Sequence, residues 1–156
     1  MNRKVLYFLI SYFISLVLSL NFQVIPPLIP HIIGEWNITR SQAGLITGIT
    51  ALPPMIFGLF GGYLLDRFGN KRPIILALIL YLLGETLFLL AGSFGFLLLS
   101  RIVIGLGAVI FAIVGLRILA EEFQGENLGK AVGIWSTGLP VAVLISFNIF
   151  SPIASR

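Results

Sequence analysis

Five stretches of this chain, residues 5–29, 41–64, 73–93, 96–119 and 131–150, are almost free of charge. Each has about 20 residues or more, and at about 1.5 Å rise per residue a helix of that length crosses a hydrocarbon layer of roughly 30 Å. Sheets cross bilayers only as closed barrels, and the alternating segments that mark such barrels are absent. The chain is 58% hydrophobic and 10% charged, against about 25% charged residues in soluble domains. A water-soluble globule of this composition would expose large apolar patches, whereas a bundle in lipid is meant to. The expected fold class is therefore an all-α integral membrane protein of five transmembrane helices, with the lipid bilayer as its first partner.

Local signals set the boundaries. Arg3 and Lys4 followed by an apolar run resemble a signal peptide, but no small-residue cleavage site follows, so an uncleaved helix is expected. Pro26, Pro27 and Pro30 should loosen and end that helix near the far surface. Thr39-Arg40-Ser41-Gln42 reads as a capping box opening the second helix, and Pro53-Pro54 should kink it. Gly92-Ser93-Phe94-Gly95 makes a short turn. Arg3, Lys4, Arg67, Lys71, Arg72 and Lys130 fall on one side and Arg117 close to it, while Arg40 and Arg156 flank the other. The positive-inside rule then places the N-terminus in the cytoplasm and Asn37-Ile38-Thr39, a glycosylation sequon by pattern alone, outside.

Several chemistries are excluded. There are no cysteines, one histidine, His31, and one aspartate, Asp66. Disulfides and a Cys/His metal site cannot form, and His31 and Asp66 belong to opposite membrane faces, so no Ser-His-Asp triad is available. No metal, cofactor or clustered acid-base set is expected, so the chain does not read as an enzyme. The net charge of +4 follows from loop placement, and no basic stripe with interleaved aromatics suggests nucleic acid.

The densest chemistry lies in Gly62-Tyr-Leu-Leu-Asp66-Arg67-Phe-Gly69-Asn70-Lys71-Arg72, a charged hairpin between the second and third helices. Gly58 and Gly62 form a small-xxx-small face on which another backbone can pack. Asp66 has local cations in Arg67 and in Lys71 or Arg72, and Glu121 and Glu122 after helix four are acids those cations can reach. Spacing alone leaves two readings open: a conformational switch, or a solvated loop that only fixes orientation.

That hairpin resembles the loop between helices two and three of the major facilitator superfamily, whose pattern is roughly Gly-x-Leu-x-Asp-Arg-x-Gly-Arg-Lys. Gly62, Leu64, Asp66, Arg67, Gly69 and Lys71 match, and Asn70 replaces the usual arginine. The resemblance implies that Asp66 steadies one state by contacting the opposite half of a transporter. It also implies a charge relay to an acid after helix four, with Lys71 or Arg72 standing in for the arginine and Glu121 or Glu122 as partner. Leu97-x-x-x-Arg101-x-x-Ile104-Gly105-Leu106-Gly107-Ala108 resembles a second motif of the family, with Ile104 in place of glutamine. The opening Ser41-Gln42-Ala43-Gly44 and the entry Gly129-Lys130-Ala131-x-Gly133 agree with the same assignment. Gly138-Leu139-Pro140 is a fragment of the longer Gly-Pro motif of drug antiporters.

Arg101 is costly within a bilayer, by up to about 3 kcal/mol on insertion scales, unless paired or wet. Glu85, about 13 Å below the same surface against about 8 Å for Arg101, is its candidate partner. Three readings stand: a structural Glu85–Arg101 pair, an Arg101 facing a solute or proton pathway, and a lone protonated Glu85. Asn21 and Gln23 on helix one either bind substrate or bond across helices. Gly105 and Gly107 thin helix four for a neighbour, and Gly133 and Gly138 serve the same purpose on helix five.

The resemblance implies residues 1–156 as a partial N-terminal domain of a multi-pass transporter, in a prokaryotic plasma membrane, moving a small solute by alternating access. The family has twelve helices and this chain has five, so the missing C-terminal half is an expected partner and the chain alone is expected not to transport. The alternatives are a small membrane scaffold subunit or one piece of a split transporter.

Overall fold

The structure, a computed structural model, describes residues 3–154. Eight helical segments assemble into five rods, and no strand occurs among the described residues. The first rod joins α1 (Arg3–Gln23) to α2 (Ile25–Trp36), and the second joins α3 (Arg40–Ile49) to α4 (Leu52–Phe68). The third is α5 (Lys71–Leu89) and the fourth is α6 (Phe94–Glu122). The fifth joins α7 (Glu126–Ser136) to α8 (Gly138–Ala154). All five contain stretches long and apolar enough to cross a membrane.

The breaks follow from proline chemistry. Pro53 and Pro54 cannot donate to the carbonyls of Ile49 and Thr50, and the second rod is interrupted between α3 and α4 at that point. Pro140 likewise leaves Ser136 without a donor, and α7 ends there. The first rod differs from the expectation of an end near residue 29. It breaks at Val24 and resumes as far as Trp36, because Pro26 and Pro27 sit in the first turn of α2, where backbone N–H groups lack helical acceptors anyway. Asn37, with φ of 49°, then closes α2 in the left-handed region. The capping box is present: Gln42 N donates to Thr39 Oγ1 at 3.3 Å, and Thr39 N donates to Gln42 Oε1 at 2.8 Å.

α6 is the axis of the bundle. Ile104, Val114 and Leu119 on it are wholly buried, and α1, α4 and α5 all pack against it. Lipid offers no hydrophobic gain for this, so close packing through small residues must supply the stability. A Cβ at Gly107 would sit about as close as 3.0 Å to the Tyr81 ring of α5. On the opposite side, a Cβ at Gly105 would collide with the Thr50 carbonyl and with Pro53, so α6 passes directly against the break in the second rod.

Candidate functional site

Charged side chains gather at the end of the bundle that carries Arg3. The hairpin reverses over Gly69 and Asn70, and Gly69 adopts φ of 66°, which only glycine accepts without strain. Arg117, in the last turns of α6, donates from Nη1 to Asp66 Oδ1 at 2.8 Å and from Nε to Glu121 Oε1 at 2.7 Å. Asn70 Nδ2 donates to Glu121 Oε2 at 3.0 Å. Arg3 Nη2 donates to Glu122 Oε1 at 3.0 Å, tying α1 to the same corner.

The structure thus brings Asp66 and Glu121 together, but through Arg117 and not through Lys71 or Arg72. Among the described residues neither Lys71 nor Arg72 has a carboxylate within 4 Å. The reason is register: Asn70 occupies the turn itself, where its short amide reaches Glu121. Lys71 and Arg72 belong to the exposed start of α5. Arg67 stays local, with Nη1 donating to the Tyr63 hydroxyl at 3.3 Å. Gly58 and Gly62 face no close neighbour, since a Cβ at either would meet nothing within 4 Å.

Arg101 lies deep in α6 and is 2% exposed. Its guanidinium carbon stands 4.2 Å from the centre of the Phe88 ring, a cation–π geometry. Its Nε has no hydrogen-bond partner, and Glu85 makes no ion pair with it within 4 Å. Phe88 of α5 thus makes a ring contact with Arg101, whereas the Glu85 carboxylate on the same helix acts on it only electrostatically, from beyond 4 Å. Phe88 follows Glu85 by three positions, one turn closer along the helix.

A cleft of about 560 Å³ is flanked by α1, α4, α6 and the α7–α8 junction. Leu18, Phe22, Val109, Ile113 and Leu139 give it an apolar wall. Ser15, Ser19, Trp135 and Ser136 contribute the polar groups, and Gly58 and Ala112 keep it open. Among the described residues no charged side chain lines it, and neither do Asn21 or Gln23. Asn21 instead donates weakly to the Val17 carbonyl at 3.5 Å and leaves its own carbonyl oxygen buried and unpartnered. Gln23 is half-buried beside the break at Val24.

The cleft is built by a serine row on α1. Ser11, Ser15 and Ser19 recur every four residues and are all buried, so they share one helix face. Ser11 Oγ donates to the Gly115 carbonyl of α6 at 2.7 Å. Ser15 Oγ donates to the Trp135 carbonyl at 2.7 Å, and Trp135 Nε1 donates back to the Ser11 carbonyl at 3.0 Å. Gly138 packs directly on Ser15, with no room for a Cβ, whereas a Cβ at Gly133 would meet nothing within 4 Å. Sequence reasoning missed this row. Its spacing of four was the available signal, obscured because each serine is isolated between apolar residues.

Comparison with known proteins gives this geometry a family. The profile of the Major Facilitator Superfamily matches residues 11–155. The chain belongs to that superfamily. It is 30% identical over 142 residues to the quinolone resistance protein NorA of Staphylococcus aureus strain Mu50, covering 88% of this chain and 36% of that protein. The form in strain MRSA252 is 32% identical over the same coverage. A probable 4-methylmuconolactone transporter of Cupriavidus pinatubonensis is 30% identical over 135 residues, covering 81% of this chain and 32% of that protein. The chain thus spans about a third of the length of these relatives. It is a multi-pass integral membrane protein of a transporter family rather than an enzyme.

Proposed function

We propose that this chain forms one wall of the solute pathway of a secondary transporter, working by alternating access with further helices. The cleft between α1, α4, α6 and the α7–α8 junction carries this reading. It is large enough for a small organic molecule. It also coincides with the proline breaks. Phe22 and Ser136 line it, and each precedes a proline by four residues, so their carbonyls lack the usual helical donor. Irregular backbone at membrane depth is tolerated where it borders a cavity or protein, and transporters place solutes at such broken helices.

The lining favours an apolar or aromatic solute with few polar groups, held by dispersion and oriented by the serine hydroxyls. The names of two relatives, for quinolones and a methylmuconolactone, agree with ring-containing organic solutes. The cation distribution supports a cytoplasmic N-terminus, and the bacterial relatives support a prokaryotic plasma membrane. The Asp66–Arg117–Glu121–Asn70 cluster holds the hairpin to the end of α6 and acts as the latch that the rocking motion releases. Arg101 acts from behind the cleft, through Phe88 and the α5–α6 contact.

Uptake into proteoliposomes tests the reading. The chain alone should show no flux above protein-free vesicles, and the chain joined to the remaining helices of a complete transporter should move an aromatic solute. Flux through this polypeptide alone, or none through the completed protein, would overturn it.

A further inference from the structure

A second cavity, of about 390 Å³, opens at the Arg3 end of the bundle, where α1 meets the α6–α7 connection. Its polar groups are Lys4 on α1, Gln124 in the connection, and Asn127 and Lys130 on α7. Its apolar wall is made by Phe8 and Phe123, which meet edge to face with ring centres 6.1 Å apart. Val5 and Ile134 form its rim and are 46% and 50% exposed on the outer surface.

The two ammonium groups are uncommitted. Among the described residues, neither Lys4 nor Lys130 has a carboxylate within 4 Å. The neighbouring acids are engaged elsewhere: Glu121 with Arg117 and Asn70, and Glu122 with Arg3. Glu126, exposed at the start of α7, pairs with neither lysine. Among the described residues, the side-chain amides of Gln124 and Asn127 are also without hydrogen-bond partners. Two lysines and two amides therefore line one cavity with two phenyl rings, at neighbouring ends of α1 and α7.

We infer that this cavity binds the phosphate of an anionic phospholipid, between Lys4 and Lys130, with the first acyl segments against Phe8 and Phe123. A free phosphate would satisfy the cations but leave the aromatic wall and the apolar rim unused. A zwitterionic lipid would bring its own ammonium group against the two lysines. Basic pockets at the ends of membrane helices recognise anionic headgroups in this way. The inference is independent of the transport reading, because the cavity is separate from the cleft.

The test is native mass spectrometry of the full chain released from phosphatidylcholine vesicles containing a minor fraction of phosphatidylglycerol. The wild-type chain should retain phosphatidylglycerol about thirtyfold over its share in the vesicle, given two lysines at the surface. The Lys4→Gln/Lys130→Gln variant should retain it only in proportion to that share. Lys4→Arg/Lys130→Arg should keep the preference, which separates loss of charge from loss of fold. Circular dichroism confirms that each variant is helical. Equal retention by wild type and the glutamine variant would overturn the site. Displacement of the lipid by inorganic phosphate as effectively as by phosphatidylglycerol would assign it to a free anion instead.

Discussion

Arg117 Nη1 lies 2.8 Å from Asp66 Oδ1, across 51 residues of chain, while its Nε holds Glu121. One planar guanidinium thus bridges Asp66 of the hairpin and Glu121 of its own helix, a two-pronged geometry that a lysine cannot reproduce. The contact is partly solvated, with the Asp66 side chain 76% exposed, so it contributes little to equilibrium stability. Under the proposed latch role, the contact is one that a moving bundle breaks cheaply. Arg117→Ala and Arg117→Lys should each raise the labelling rate of a cysteine placed at Phe68 several-fold. The melting temperature should fall by no more than about 4 °C. A larger fall would show that the contact is a structural pin.

The Phe88 ring stands 4.2 Å from the Arg101 guanidinium, while Glu85 forms no ion pair with it within 4 Å. A double-mutant cycle between Arg101→Ala and Phe88→Ala should give a coupling of about 0.5–2 kcal/mol in detergent unfolding. The cycle between Arg101→Ala and Glu85→Gln should give less than about 0.5 kcal/mol. The reverse order would restore the ion pair as the organising contact.

The glycines divide into two classes. Gly105→Ala and Gly138→Ala push a methyl group into the Thr50 carbonyl and Ser15 respectively, and overpacking of this kind costs about 1–3 kcal/mol. Gly133→Ala meets no neighbour and gains helix propensity, so it should be neutral or stabilising by up to about 1 kcal/mol. Thermal unfolding of the three variants checks the order.

The rods and the break in the second were legible in the sequence because each depends on local chemistry. Apolar length decides the spans, and Pro53 and Pro54 mark where donors are missing in the second rod, whereas the break before Pro140 in the fifth was not read from the sequence. The length of the first rod was not legible, because Pro26 reads as a terminator until it is known to stand in the first turn of a new helix. The latch was half-legible. Asp66 and Glu121 stood out as acids, but the cation expected between them was Lys71 or Arg72 and the one present is Arg117. That Asn70 would reach Glu121 in place of a cation depended on the turn at Gly69, a three-dimensional fact. The cleft was least legible. Its polar groups are common serines, and the conspicuous charges, Arg101 and Glu85, lie outside its lining.

Topology has its own test, made simple because the chain has no cysteines. With the N-terminus in the cytoplasm, Phe68→Cys should react with an impermeant maleimide only after cells are permeabilised. Ser93→Cys, at the opposite end, should react in intact cells. The opposite pattern would invert the assigned orientation.

The cleft itself is tested at Ala112, which lines it, against Leu82, 70% exposed on the outer face of α5. In the completed transporter, Ala112→Cys should react with a water-soluble methanethiosulfonate, lose transport by more than about tenfold on modification, and be protected by solute. Leu82→Cys should neither react nor lose activity. Reaction and inhibition at Leu82 with an inert Ala112 would contradict the account.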